Sequence, residues 1–183
     1  TPRLAFAGKQ GDANLRLQAR DTVYVFGLDT QRMGQISDVV ETLRLQARKT
    51  EIENVVSIQG SVHIPGDYPR FQGMRVNDLI KAALNLMPDA DAHYSVLVRE
   101  NKAQHEIFIV PVRLDAIRAG DGEANFLLEP KDQLLIFNAR VARNDVLSPV
   151  LERLKVQARL NEPPMTVHVA GEVRFPGTYP LTG

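Results

Sequence analysis

The sequence predicts an α+β chain in which a mixed sheet crossed by one helix recurs in tandem, with linking helices between the units. Three observations carry this. Short stretches alternate apolar and polar residues with period two, other stretches repeat apolar residues at helical spacing, and the whole pattern returns at a fixed offset. Gly60 and Gly171 lie 111 positions apart, as do Pro65 and Pro176, Gly66 and Gly177, and Tyr68 and Tyr179. Laying residues 1–72 over 112–183 without a gap gives 23 identities. Internal periodicity of this kind marks duplicated structural units.

The phase of the repeat sets the expected organisation. Residues 1–28 read as the C-terminal part of a preceding unit and residues 29–54 as a linking helix. One complete unit spans 55–140. A second linking helix and the stiff "NEPP" stretch occupy 141–164, and 165–183 begin a following unit. The chain opens at Thr1 and stops inside the motif, so the parent protein is expected to hold at least three tandem units.

Each element of the complete unit has a local reason. In "VVSIQGSVHIPGDYP", Val56, Ile58, Val62 and Ile64 alternate with polar residues, which predicts a half-buried strand. Gly60 in its middle predicts a bulge or a close backbone approach. Pro65-Gly66 fits the central positions of a type II turn, Pro presetting φ and Gly taking the positive φ that follows. Tyr68 then restarts the chain in the opposite direction. Val76, Leu79, Ile80, Ala83 and Leu84 form one apolar helical face, with "MPD" at 87–89 as its stop. "YSVLVRE" and "HEIFIVPV" predict two strands around a turn at 101–104, residues 113–122 a short helical turn, and "FLLEPKDQLLIF" a last strand after a turn at 129–132. The order is β-β-α-β-β-β. In the linking segments, Ser37 is the expected cap of one helix, and Ser148 with Pro149 caps the other. Val39, Val40, Leu43 and Ala47 supply an apolar face.

The composition points away from several functions. Lys+Arg and Asp+Glu both number 22, so the basic excess of a nucleic-acid binder is missing. No cysteine is present, and no apolar run approaches the about 20 residues of a membrane span. His63, His93, His105 and His168 show no metal-ligand spacing. Asp21 and Asp132 recur with the period and read as turn-forming residues before a strand, as do Asn14 and Asn125. The Gly-rich stretches 8–14 and 120–125 lack phosphate-cradling order, and no nucleophile motif occurs. No catalytic, metal or cofactor site is expected. Arg99, in a strand, is the candidate contact to a sugar, a carboxylate or a neighbouring subunit. Tyr68 is a second candidate contact, weighed against closing the core beside its turn.

The order G-x-V-x-x-P-G-x-Y, then a short helix, a strand carrying Arg99, and N-x-x-L-x-P-x-D-x-[LI]-x-[IV] resembles the soluble-ligand-binding β-grasp (SLBB) domain. The tandem arrangement is similar to that of Wza-type polysaccharide export proteins. The resemblance covers 55–137 and both partial copies. It implies tandem β-grasp (ubiquitin-like) modules and a periplasmic, outer-membrane-associated location in a Gram-negative bacterium. It further implies a non-enzymatic role in module stacking and ring assembly for capsule or exopolysaccharide export. Implied partners are copies of the chain itself, other export components and the polysaccharide. A small-molecule or oligosaccharide-binding periplasmic domain is the alternative. Three departures stand. "AAL" at 82–84 replaces the Ala-Gly-Gly that often ends the family's helix, which predicts a longer helix. The N-terminal export-signature domain and a C-terminal amphipathic helix are both absent from this sequence. The two terminal half-units, 1–28 and 165–183, are expected to pair their open strand edges with each other, within or between chains.

Overall fold

The computed structural model describes residues 17–19, 21–26, 32–47, 53–101, 106–158 and 163–182. Asn14, His105 and the stretch 8–14 lie outside them. The chain divides into two compact units, Thr1–Arg32 and Met33–Gly183. The described elements are α1 (Arg32–Ala47), β1 (Val55–Gly60), β2 (Gly66–Pro69), α2 (Val76–Ala82), β3 (Ala90–Glu100), β4 (Ile107–Val112), α3 (Leu114–Arg118), β5 (Gln133–Asn138), α4 (Asn144–Gln157), β6 (Thr166–Val169) and β7 (Gly177–Pro180). No described helix is long and apolar enough to cross a membrane.

Within the larger unit a five-stranded mixed sheet runs β2-β1-β5-β3-β4. β1 and β5 are parallel, pairing Ser57 with Gln133 through Gly60 with Ile136. The other neighbours are antiparallel. Alternation divides the strand residues between two cores. On one face Val56, Ile58, Tyr68, Leu97, Leu134 and Ile136 meet Val76, Leu79 and Ile80 of α2 with Leu114 and Ile117 of α3. On the other, Val96, Val98, Ile107, Ile109, Leu135 and Phe137 meet Leu147, Val150 and Leu154 of α4. The mixed sheet with helices on it is the α+β architecture the patterns predict.

Several local expectations need correction. β1 ends at Gly60, and residues 61–65 form the loop of the hairpin. Pro65-Gly66 is no type II turn. Gly66 has φ 152° and is already the first residue of β2, paired with Ile58. The conformation still demands glycine, and a Cβ there would stand 2.3 Å from the Met33 Cε. α2 stops at Ala82 instead of running on, because Leu84 and Asn85 turn left-handed at φ 60° and 73°. The hairpin loop holds them there: His63 N–H donates to Asn85 O at 3.2 Å and Ile64 N–H to Ala83 O at 3.0 Å. Ser37 and Ser148 cap neither linking helix, since both sit inside. The Ser37 hydroxyl donates back to Met33 O at 2.6 Å, the competing bond open to serine within a helix. Pro149 lies in the helix interior because α4 begins at Asn144, immediately after Arg143.

β6 and β7 repeat the β1–β2 hairpin. Val167 faces Tyr179 as Val56 faces Tyr68. Gly171 has φ 95° against 93° at Gly60, and Gly177 has 154° against 152° at Gly66. Tyr68 Oη donates to Ile64 O and Tyr179 Oη to Phe175 O, each at 2.7 Å. Among the described residues, however, β6 pairs only with β7.

In the smaller unit, residues 21–26 carry no strand, contrary to expectation. The turn before them is formed. Gln18 N–H donates to Asp21 Oδ2 at 2.6 Å and Asp21 N–H to Gln18 O at 3.1 Å. Tyr24 stacks on Phe26, and the Arg32 guanidinium lies over the Phe26 ring.

The two equivalent glycines should respond differently to alanine. A Cβ at Gly60 would lie 1.8 Å from the Ile136 carbonyl oxygen, whereas nothing stands within 4 Å of one at Gly171. Gly60→Ala is expected to cost about 3 kcal/mol or more. Gly171→Ala should cost only the left-handed strain, about 1–2 kcal/mol. Urea unfolding of the two variants side by side measures the contrast.

Candidate interaction site at the joint between repeats

The joint is built by α4 and the hairpin that follows it. α4 runs back across the sheet from the end of β5. At its C-terminal end Gln157 clasps the backbone of β4: Ile107 N–H donates to Gln157 Oε1 at 2.9 Å, and Gln157 Nε2 donates to Ile107 O at 2.8 Å. At its start Arg143 enters an aromatic box. Its guanidinium lies 4.5 Å from the Tyr94 ring centre, 4.8 Å from Phe175, 5.6 Å from Phe137 and 5.9 Å from Tyr179. Asp91 Oδ2 accepts from Arg143 Nη2 at 2.5 Å. Phe137 and Tyr94 stack at 5.2 Å, and Tyr179 meets Tyr94 edge-on at 6.0 Å. Cation, carboxylate and four rings thus tie three parts of the chain, β3, β5 and the following hairpin, to one side chain. Burial pushes the Tyr94 hydroxyl above its ordinary value, and the Arg143 charge works the other way.

α1 meets β1–β2 from the equivalent position. Met33 lies against Gly66 as Asn144 lies against Gly177. Arg44 bridges Glu53 at 3.0 Å and Asp67 at 2.7 Å; hydrogen bonds to these two carboxylates, Glu53 first, hold its charge above the ordinary range. A groove of about 290 Å³ opens beside this bridge, lined among others by Arg44, Asp67, Glu100, Lys131 and Arg153.

The residues singled out from the sequence fall into three places. Gly60, Pro65, Gly66 and Tyr68 shape the first hairpin, and Tyr68 is 3% exposed in the α2-side core, closing it beside the loop; no ring face is left for a sugar. Gly171, Pro176, Gly177 and Tyr179 shape the second, with Tyr179 in the joint. Arg99, Asp132 and Asn125 lie under the sheet's other end. Asp132 is fully buried and accepts from Arg99 Nε at 2.9 Å and Nη2 at 2.7 Å. Arg99 also donates to Leu127 O at 3.0 Å and pairs with Glu129 at 3.0 Å. Burial opposes this charge most, and the Asp132 and Glu129 carboxylates more than offset it, raising the guanidinium above its ordinary value. Arg99 therefore braces the turn that launches β5; its donors are directed inward. Asp132 also makes the turn expected of it, accepting from Glu129 N–H at 2.7 Å. Asn125 goes beyond its expected turn role. Its Oδ1 accepts from Asn77 N–H at 2.9 Å, capping α2 from 48 positions away.

Of the histidines described, His63 contacts Asn85 O, His93 sits 3.5 Å from Asp115, and His168 contacts Thr178. No group of metal-ligating side chains gathers among the described residues. Arg143 was not singled out from the sequence. The signal was there: Arg32 with Phe26 and Arg143 with Phe137 are both identities of the repeat, and both pairs stack in the structure.

Compared with protein-family models and with curated protein sequences, the chain matches none.

Arg143→Ala should loosen the hairpin without unfolding the sheet. Removing one member of the pair leaves Asp91 largely buried, a loss of about 2–3 kcal/mol. Amide hydrogen exchange in β6 and β7 is expected to accelerate by tenfold or more while β3 and β5 keep their protection. Equal acceleration throughout would show that the box supports the whole sheet rather than the joint.

Proposed function

We propose that this chain is a non-enzymatic interaction module of a periplasmic, outer-membrane-associated polysaccharide export protein. In this reading it is built of tandem SLBB-type β-grasp units that hold one another and copies of themselves. The observation that carries the reading is the joint. The repeated hairpin is docked on the preceding unit by Arg143, and the repeated residues act as turn formers, core residues and joint residues. The carboxylates and hydroxyls that repeat serve structure: Asp21 and Asp132 hold turns, and Ser37 and Ser148 lie inside helices. Modules that contact their neighbours through a repeated joint suit a stacked assembly. The SLBB and export parts of the proposal rest on the motif resemblance.

A second reading, a domain that binds a small molecule or an oligosaccharide, is favoured by the charged groove beside Arg44. Its lining sets Arg44, Lys131 and Arg153 among Glu53, Asp67 and Glu100, a balanced set of donors and acceptors that suits the hydroxyls of a sugar.

Two measurements separate these. In the source bacterium, replacing Arg143 by Ala in the parent gene is expected to reduce surface polysaccharide several-fold, with the protein still present in the periplasm. Unchanged polysaccharide on complete loss of the gene would overturn the export reading. The binding reading predicts a thermal shift with neutral oligosaccharides that Arg153→Ala abolishes.

A further inference from the structure

Among the described strands β4 ends the sheet, and its backbone groups alternate between the two sides of the strand. Phe108, Val110 and Val112 stand opposite Arg99, Leu97 and Ser95 of β3, and just before them Asn101 N–H donates to Glu106 O at 2.7 Å. That bond sets the phase: residues 106, 108, 110 and 112 exchange bonds with β3, as alternate pairs of an antiparallel ladder do. Ile107, Ile109 and Pro111 turn their groups the other way. A strand added to this edge would have to pair with those three, one after another.

Two of the three are closed. Gln157, the last residue of α4, sets its carboxamide against Ile107: Ile107 N–H donates to Oε1 at 2.9 Å, and Nε2 donates to Ile107 O at 2.8 Å. A primary amide offers the donor and the acceptor of a peptide unit, so this side chain fills the seat that one residue of a foreign strand would take. Pro111 has no N–H and is exposed. Beyond it the chain enters α3, and Arg113 O accepts from Ile117 N–H at 3.2 Å. Ile109 is then the one residue of β4 able to exchange both bonds with a newcomer. The glutamine belongs to the repeat. Gln46 stands 111 positions earlier in the same Gln-Ala-Arg order, while Lys155 and Val156 take the places of Arg44 and Leu45.

We propose that Gln157 and Pro111 are edge guards, which keep β4 from pairing antiparallel with β4 of a second copy of this chain. Each guard closes one register. Pairing centred on Phe108 would exchange bonds between Ile107 and Ile109 of the second copy, and the Gln157 amide occupies Ile107. Pairing centred on Val110 would exchange bonds between Ile109 and residue 111 of the second copy, and the proline there has nothing to donate. Pairing centred on Ile109 meets both guards. A second copy is the occupant to be excluded because the edge suits it. Phe108 is 44% exposed, and self-pairing would set this ring against its equal, a favourable cross-strand contact. The guards leave association between copies to other surfaces, and they act whether or not the chain serves in export.

The two registers can be read separately, since the chain has no cysteine of its own. Phe108→Cys and Val110→Cys serve as reporters. The central residue of each register would face its own copy at about 4.5 Å between Cα atoms, within disulfide reach. Each reporter is placed in the full chain, oxidised in air and run without reductant. Alone, neither is expected to cross-link. Gln157→Ala should yield covalent dimer through the reporter at 108 and not through that at 110, and Pro111→Ala the reverse. Each gain should be about tenfold or more, because every restored residue adds two bonds between the copies. Pro111→Ala leaves the clasp in place, so its arm stands even where Gln157→Ala loosens α4. Amide exchange in β3 and β5 checks that the sheet is intact in each variant. Cross-linking of the reporters with both guards present overturns the proposal, as does an intact sheet that cross-links in neither variant. Cross-linking at both reporters whichever guard is removed also overturns it, since no register is then selected. Association of the unmodified chain that leaves both reporters free is the outcome the guards allow, and it bears on the assembly reading alone.

Discussion

The passage of the Ile136 carbonyl over Gly60 is the contact on which the module depends. β1 and β5 are the first and last strands of the unit, and they are neighbours in the middle of the sheet. Their parallel pairing is the sole parallel ladder among the described strands. It brings Leu134 and Ile136 into one core and Leu135 and Phe137 into the other. A side chain at position 60 would hold the two strands apart and open both cores together. The buried Arg99–Asp132 pair serves the same contact from its other end. Asp132 fixes the turn ahead of β5 through its carboxylate, and its own carbonyl accepts the first cross-strand bond from Ser57. A buried ion pair contributes little net stability. What this one supplies is position, since it sets where β5 starts against β1.

Parallel first and last strands also decide how modules connect. The chain leaves the unit travelling in the direction in which it entered, so a helix must carry it back before the next hairpin begins. α4 does this, anchored by Arg143 at the exit of β5 and by Gln157 at the entry of β4. Its 14 residues span about 21 Å at helical rise. The second core is the underside of this return path. The linking helix is thus part of the unit's own interior, and the two cannot be separated without exposing Leu147, Val150 and Leu154.

Much of this was legible in the sequence, and the rest was hidden for definable reasons. Periodicity located the strands of the sheet and the helix across it, because burial on one face imposes it. The repeat located both hairpins, since their glycines and tyrosines serve local geometry and local geometry recurs. Asp132 as a turn residue was legible from its place before an apolar run. Its second role, as the partner of Arg99 33 positions away, depends on which strands become neighbours, and no local pattern encodes that. Asn125 capping α2 is the same case. The helix boundaries failed through competition. Ser37 and Ser148 look like caps locally, yet Arg143 in its aromatic box fixes the start of α4 earlier. "AAL" looks able to continue α2, yet backbone bonds from the hairpin loop draw residues 83–85 out of the helix. Residues 21–26 have the pattern of a strand but lack a pairing partner among the described residues, and a strand is a pairwise object.

The divergence between the two joints follows from the repeat itself. The two described hairpins have nearly the same shape, and shape alone cannot tell α1 from α4 which one to hold. The residues at the contact differ where the framework residues agree. Met33 lies against Gly66 where Asn144 lies against Gly177. Arg44 pairs with Asp67, while the equivalent Lys155 pairs with Glu152 on its own helix and leaves Thr178 to His168. Docking β6–β7 on α1 would remove Asp67 from Arg44 and set the Asn144 partner surface of Gly177 against the apolar Met33. Docking β1–β2 on α4 would strand Asp67 away from Arg44. Each exchange costs a charge pair, and specificity among look-alike partners arises from such losses on the wrong pairing. The hairpins share a framework because their glycines and tyrosines serve the same local geometry, and the joints differ because the residues facing each helix differ.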